Sequence, residues 1–162
     1  MRYAQLFDYS SAGAIQCNRG VSGIDGCTST AIGCALSYER MTCLITGDMS
    51  FGYDLGALAS GMADSRLRII VLDNGGGDIF RFIPSTKNNP IVEEFLCADK
   101  KPPVATLAEA FGFEYFYANS ERSLNADIEE FFAEGLAPKI LHLDTRGCNN
   151  ALILSNYLGK NK

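Results

Sequence analysis

Residues 67–80 read Leu-Arg-Ile-Ile-Val-Leu-Asp-Asn-Gly-Gly-Gly-Asp-Ile-Phe. The first six, 67–72, form a short apolar run rich in β-branched residues, which predicts a strand. It breaks on Asp73-Asn74 and three consecutive glycines, residues that let a backbone turn sharply or approach a ligand closely. Upstream the pattern repeats, where 42–46 (Thr-Cys-Leu-Ile-Thr) runs into Gly47-Asp48-Met49-Ser50-Phe51. Further strands are predicted over 13–18, 113–117 and 139–144, and helical stretches over about 2–10, 27–39, 53–63, 104–111, 121–134 and 150–158. Strand and helix taking turns implies an α/β fold: a three-layer α/β/α domain with a mostly parallel central sheet and right-handed crossovers.

A chain of 162 residues is the size of one domain, 1–162, and can bury roughly two thirds of its unfolded surface. Segment 84–103, polar and proline-bearing, reads as a surface excursion within that domain. With 47% hydrophobic and 20% charged residues, neither extensive disorder nor a membrane span is expected. A net charge of −5 offers no basic field for nucleic acid or an anionic membrane. The first residues, Met-Arg-Tyr-Ala-Gln-Leu-Phe, carry no signal-peptide pattern, so the expected location is cytoplasmic. Six cysteines without a Cys-x-x-Cys pair argue against zinc, iron–sulfur or a disulfide framework and read as reduced, mostly buried thiols. His142 reads as a packed or surface residue, the aromatics between Phe111 and Tyr117 as packing, and Glu93, Glu94, Glu129 and Glu130 as solvated.

In a parallel sheet, ligands gather beyond the carboxyl ends of the strands. Asp48 and Asn74 both stand just past predicted strands, 26 positions apart, the interval that one helix plus one strand fills. If those strands are neighbours, a carboxylate and an amide oxygen converge beside glycine carbonyls. Such hard oxygen ligands suit magnesium or manganese, and two side chains plus one main-chain oxygen leave about half an octahedral shell for phosphate oxygens and water. Either motif alone is also ordinary turn chemistry. Asn18 to Gly26 places glycines at 20, 23 and 26 ahead of a helix of small residues. That loop reads either as an anion site at a helix N-terminus or as a tight packing turn.

Gly-Asp followed one βαβ unit later by Asn resembles the thiamine diphosphate signature. The blocks Asn-Arg-Gly-Val-Ser-Gly-Ile-Asp-Gly (18–26), Gly-Asp-Met-Ser-Phe-Gly-Tyr-Asp-Leu (47–55) and Asn-Gly-Gly-Gly-Asp-Ile-Phe-Arg-Phe-Ile-Pro (74–84) resemble the C-terminal cofactor domain of the 2-succinyl-5-enolpyruvyl-6-hydroxy-3-cyclohexene-1-carboxylate synthase family. The resemblance implies thiamine diphosphate and a divalent metal. By it, Asp48, Asn74 and the Gly76 main-chain oxygen are metal ligands. Met49 and Ser50 line the diphosphate and thiazolium cleft, Ile24 props the cofactor in its bent shape, and Ile79 and Phe80 lie beside it. Arg2, Arg19, Phe80 and Ile83 match substrate positions.

The implied reaction decarboxylates 2-oxoglutarate and delivers a succinyl carbanion equivalent to isochorismate by 1,4-addition, in the menaquinone pathway. Both substrates carry carboxylates, natural partners for an arginine fork. Gly52, Gly56 and Gly75 stand where the family has bulkier or polar residues, and Asp78 adds a negative charge near the metal loop. Full-length members are homo-oligomers of three-domain chains whose activating glutamate lies on the pyrimidine-binding domain of a partner subunit. No catalytic residue is therefore expected within this chain, which looks like an excised or separate C-terminal piece, inactive alone. The alternatives are a cofactor-binding subunit of another thiamine diphosphate-dependent 2-oxoacid decarboxylase and a non-enzymatic nucleotide-binding module.

Overall fold

The computed structural model describes residues 14–18, 20–21, 23–83, 85–86, 89–98 and 102–160. Arg2, Arg19 and the helix expected over 2–10 lie outside them. Four strands, β1 (Thr42–Gly47), β2 (Leu67–Asp73), β3 (Glu114–Ala118) and β4 (Lys139–Asp144), form a parallel sheet in the order β1-β2-β4-β3. The helices are α1 (Cys27–Ser37), α2 (Asp48–Tyr53), α3 (Leu55–Ala59), α4 (Ile79–Phe82), α5 (Val104–Ala110), α6 (Glu121–Phe132) and α7 (Asn150–Lys160). A π turn spans Val92–Leu96.

Side chains alternate across the sheet, as the pleat requires. Leu67, Ile69, Val71, Phe113 and Ile140 pack with Ala31, Ile32 and Ala35 of α1, Phe51 of α2, Leu58 of α3, and Val104 and Ala108 of α5. On the opposite face Leu141 and Ala118, flanked by Ile70, Phe116 and Leu143, pack with Phe131, Leu124 and Ile128 of α6. The expected α/β/α layering is therefore present. Arg68, fully buried, lies on the α6 side. Its guanidinium donates to the carbonyls of Phe131 (2.6 Å) and Ala133 (2.6 Å) at the end of α6, and to those of Ser65 (2.7 Å) and Leu67 (3.1 Å). Helix α6 begins on a capping box in which Ser120 accepts from the Ser123 amide and the Ser123 side chain accepts from the Ser120 amide.

Three local expectations are corrected. Residues 14–18 form no strand: all five are exposed, so their apolar character has no face to pack on and no ladder to join. The helix expected over 53–63 is two short helices beginning at Asp48, broken where Asp54 takes φ −120° and ψ 30°. None of the six cysteines is fully buried; Cys17, Cys43 and Cys148 are exposed, because each lies in a loop or on a sheet edge.

Candidate functional site

Strands β1 and β2 are neighbours, with Gly47 opposite Leu72, so the residues that follow them leave the sheet at one end. Asp48 opens α2 and is 3% exposed. Its Oδ2 accepts the Gly76 amide at 2.8 Å. Gly75, Gly76 and Gly77 have φ of +92°, +88° and +92°, a run of left-handed backbone that side chains oppose. At Gly76 a Cβ would stand 2.3 Å from the Ala98 carbonyl oxygen, so only glycine fits. The Gly76 carbonyl accepts from the Ala98 amide at 3.0 Å, which leaves its second lone pair free.

Asn74 Oδ1 is buried in this turn without a hydrogen-bond partner. Buried acceptors are ordinarily satisfied, and an orphan costs about 1–3 kcal/mol. A cation among Asp48, Asn74 and the Gly76 carbonyl would satisfy it, and a carboxylate, an amide oxygen and a peptide oxygen are hard donors that fit magnesium. Among the described residues, Thr28 Oγ1 and Thr46 Oγ1 are also buried without partners, but they belong to α1 and β1 themselves.

Around this turn, Ser50 Oγ donates to the Ile24 carbonyl at 2.5 Å, fastening the glycine loop to α2. Ile24 is 43% exposed. Met49 lines a cavity of about 220 Å³ with Gly52, Tyr53, Leu55 and Pro102. Gly52 meets Pro102 there, at a position where a Cβ would stand 3.5 Å from the ring. Ile79 is exposed, whereas Phe80 and Ile83 are half-buried, with the Phe80 ring against Gly77. The structure thus brings Ile24 to Ser50 and Asp48 to Gly76, and puts Phe80 on the same turn.

Charges expected to stand free are paired. Asp78 meets Arg81 at 3.3 Å, which offsets its charge beside the turn. Arg81 also grips Glu93 through two hydrogen bonds of 2.8 and 2.7 Å, so Glu93 is not merely solvated. That hydrogen bonding holds the Glu93 carboxyl below its usual range and raises the arginine. At the N-terminus of α1 stands a carboxylate of the protein itself: Asp54 Oδ2 accepts from the Ser29 amide (2.7 Å) and hydroxyl (2.9 Å). Gly20 and Gly23 of the glycine loop ahead of α1 are exposed, and nothing among the described residues packs against Gly20.

Residues 1–142 match the model of the thiamine pyrophosphate enzyme family's C-terminal TPP-binding domain. The chain belongs to that family. Curated proteins named 2-succinyl-5-enolpyruvyl-6-hydroxy-3-cyclohexene-1-carboxylate synthase are similar to it over 97% of its length: 39% identical in Christiangramia forsetii and 41% in Porphyromonas gingivalis. The chain spans about 27% of the length of those relatives. A solved Rhodococcus jostii thiamine diphosphate-dependent 4-hydroxybenzoylformate decarboxylase superposes with a TM-score of 0.56, covering 71% of this chain and 22% of that one. At 23% identity the likeness shows the shared α/β fold. No helix among the described residues is long and apolar enough to cross a membrane.

Sequence reasoning missed Ala98, which caps the Gly76 carbonyl, and Asp54, which caps α1. It also missed the partners of His142. Each depends on a fold contact between distant segments, and neither Asp54 nor Ala98 carries a motif that marks it.

Proposed function

We propose that this chain is the thiamine diphosphate- and magnesium-binding part of a synthase that decarboxylates 2-oxoglutarate and joins the succinyl unit to isochorismate. The observation that carries the metal is the buried, unpartnered Asn74 Oδ1 in a turn already held against the Asp48 carboxylate. Asp48, Asn74 and the Gly76 carbonyl would hold the ion. Ile24, Met49, Ser50, Ile79 and Phe80 would line the cofactor, and Arg2, Arg19, Phe80 and Ile83 would meet substrate. The bound cofactor supplies the electron sink for losing carbon dioxide from a 2-oxoacid.

The chain's own work is to bind, orient and exclude water. Its half-buried Phe80 and Ile83 keep the reacting end apolar, while arginines are suited to the substrate carboxylates. Activation of the cofactor needs a pyrimidine-binding domain from a partner subunit of a homo-oligomer. The support for this assignment is the similarity to relatives that carry the synthase name over 97% of the chain, together with the three motif blocks.

Titration calorimetry with thiamine diphosphate and magnesium tests the site, with Asp48→Ala as control. Magnesium-dependent binding by the wild type and its loss in the variant are expected; equal binding by both overturns the ligand assignment. Carbon dioxide release from 2-oxoglutarate with isochorismate as acceptor tests the reaction. Turnover by this chain without a pyrimidine-binding domain would refute the division of labour.

A further inference from the structure

Strands β2, β3 and β4 carry a polar network that the cofactor reading does not use. His142, 8% exposed, points its two ring nitrogens at two partners: Nε2 lies 3.1 Å from Asp73 Oδ2, and Nδ1 lies 2.9 Å from the Tyr115 hydroxyl. An ionised Asp73 can only accept, so Nε2 carries the proton; Nδ1 of the neutral ring then accepts, and the Tyr115 hydroxyl donates. One tautomer satisfies every group in the row.

Asp73 is also tied on its other side. Its Oδ1 accepts the Gly75 amide at 3.1 Å, and its carbonyl accepts the Thr145 amide at 2.8 Å and hydroxyl at 3.1 Å. Arg146 Nε stands 3.5 Å from Oδ2. The residue that directly precedes Asn74 is therefore held at both carboxylate oxygens and its main chain. The turn it feeds, Gly75 to Gly77, is built from three glycines at positive φ, which have the most conformational freedom to lose. Two side-chain anchors restrain it: Asp73 on Gly75 and Asp48 on Gly76. Burying an imidazole and a carboxylate costs more than burying the apolar Ile140 and Val71 that share this face, so the network carries a cost that packing alone would not require.

We propose that Tyr115, His142 and Asp73 form a positioning relay that holds the Asn74–Gly77 turn in its metal-binding shape. It rests on the cofactor reading above. None of the three is a metal ligand: Tyr115 orients the imidazole, the imidazole fixes the Asp73 carboxylate, and the carboxylate fixes the Gly75 amide. Outer-sphere partners of this kind set metal affinity by orienting the ligands.

The test uses the intact protein and two readouts: magnesium-dependent thiamine diphosphate affinity by calorimetry, and amide hydrogen exchange of the peptide carrying Gly75 to Gly77 without ligand, referenced to α6. His142→Leu is expected to weaken affinity about tenfold or more and to speed exchange in the glycine turn but not in α6. His142→Gln, which can still donate an N–H to Asp73, is expected to recover most of both. Tyr115→Phe, at a half-exposed position and so less disruptive to folding, is expected to move both readouts the same way by less. Wild-type affinity and exchange in folded His142→Leu or Tyr115→Phe would overturn the relay, as would losses spread equally over α6 that Gln fails to rescue. If the wild type itself binds no magnesium–cofactor pair, the cofactor reading falls, and the exchange arm alone decides whether the relay holds the turn.

Discussion

The amide of Gly76 donates to the Asp48 carboxylate at 2.8 Å across 28 positions of sequence. Asp48 directly follows β1 and Gly76 lies in the turn that follows its parallel neighbour β2, so this hydrogen bond closes the gap between the two halves of the thiamine diphosphate signature. It also gives a buried carboxylate a donor before any cation arrives, which lowers the cost of keeping it in place.

Asn74 separates binding from stability. Its buried Oδ1 has no partner, so Asn74→Ala removes an unsatisfied acceptor. Thermal unfolding without metal should move by no more than about 0.5 kcal/mol, or rise slightly, while magnesium-dependent cofactor binding is lost. A large drop in stability without metal would show that the amide already has a structural task.

Asp54 acts as a helix cap from outside the helix. Asp54→Ala removes the acceptor for both the amide and the hydroxyl of Ser29 and should cost about 1–2 kcal/mol in urea unfolding. Asp54→Asn should recover part of it by keeping an oxygen without the charge. Equal stability of the Ala variant and wild type would mean that water serves the α1 N-terminus equally well.

Arg68 ties α6 to β2 by main-chain carbonyls alone. Arg68→Met preserves much of the buried volume but strands the carbonyl of Phe131, and should destabilise the chain by about 1–3 kcal/mol. Arg68→Lys should rescue little, since an ammonium cannot reproduce the planar fork. Chemical denaturation followed by circular dichroism measures both, and full rescue by lysine would contradict the fork geometry.

Asp144 contributes acid-sensitive stability. The Arg146 guanidinium beside it holds its carboxyl well below the usual carboxylate range, and the Tyr117 hydroxyl at 2.9 Å adds to the effect. A carboxyl depressed in the folded state stabilises above its unfolded pKa of about 3.9 and loses that contribution as pH falls toward the folded value. Melting curves of wild type and Asp144→Asn should differ by a constant amount from about pH 5 to 8 and converge below about pH 4. Curves that stay parallel into strong acid would rule this out.

Much of the sheet was legible because burial on a pleated surface leaves a period in the sequence. The runs 42–46, 67–72 and 139–144 lie within one residue of β1, β2 and β4, and 113–117 is displaced from β3 by one. The run 13–18 carried the same kind of signal, yet its described residues, 14–18, form no strand. Local pattern states a preference, and a ladder partner decides whether it is met. Likewise the Asp48 and Asn74 spacing was legible, but the anchoring of Gly76 by Asp48 was not.

The amino-acid sequence by itself determined the α/β alternation, the residue types on each strand and the three motif blocks that lead to the thiamine pyrophosphate enzyme family. These are local properties, set by side-chain period and glycine chemistry. Only the tertiary structure decided the strand order β1-β2-β4-β3, and with it which polar groups meet. Placing β4 between β2 and β3 brings His142 to Asp73, 69 positions away, and to Tyr115, 27 positions away. Side-chain period tells which face a residue takes; which neighbour stands across the ladder depends on how the distant segments pack.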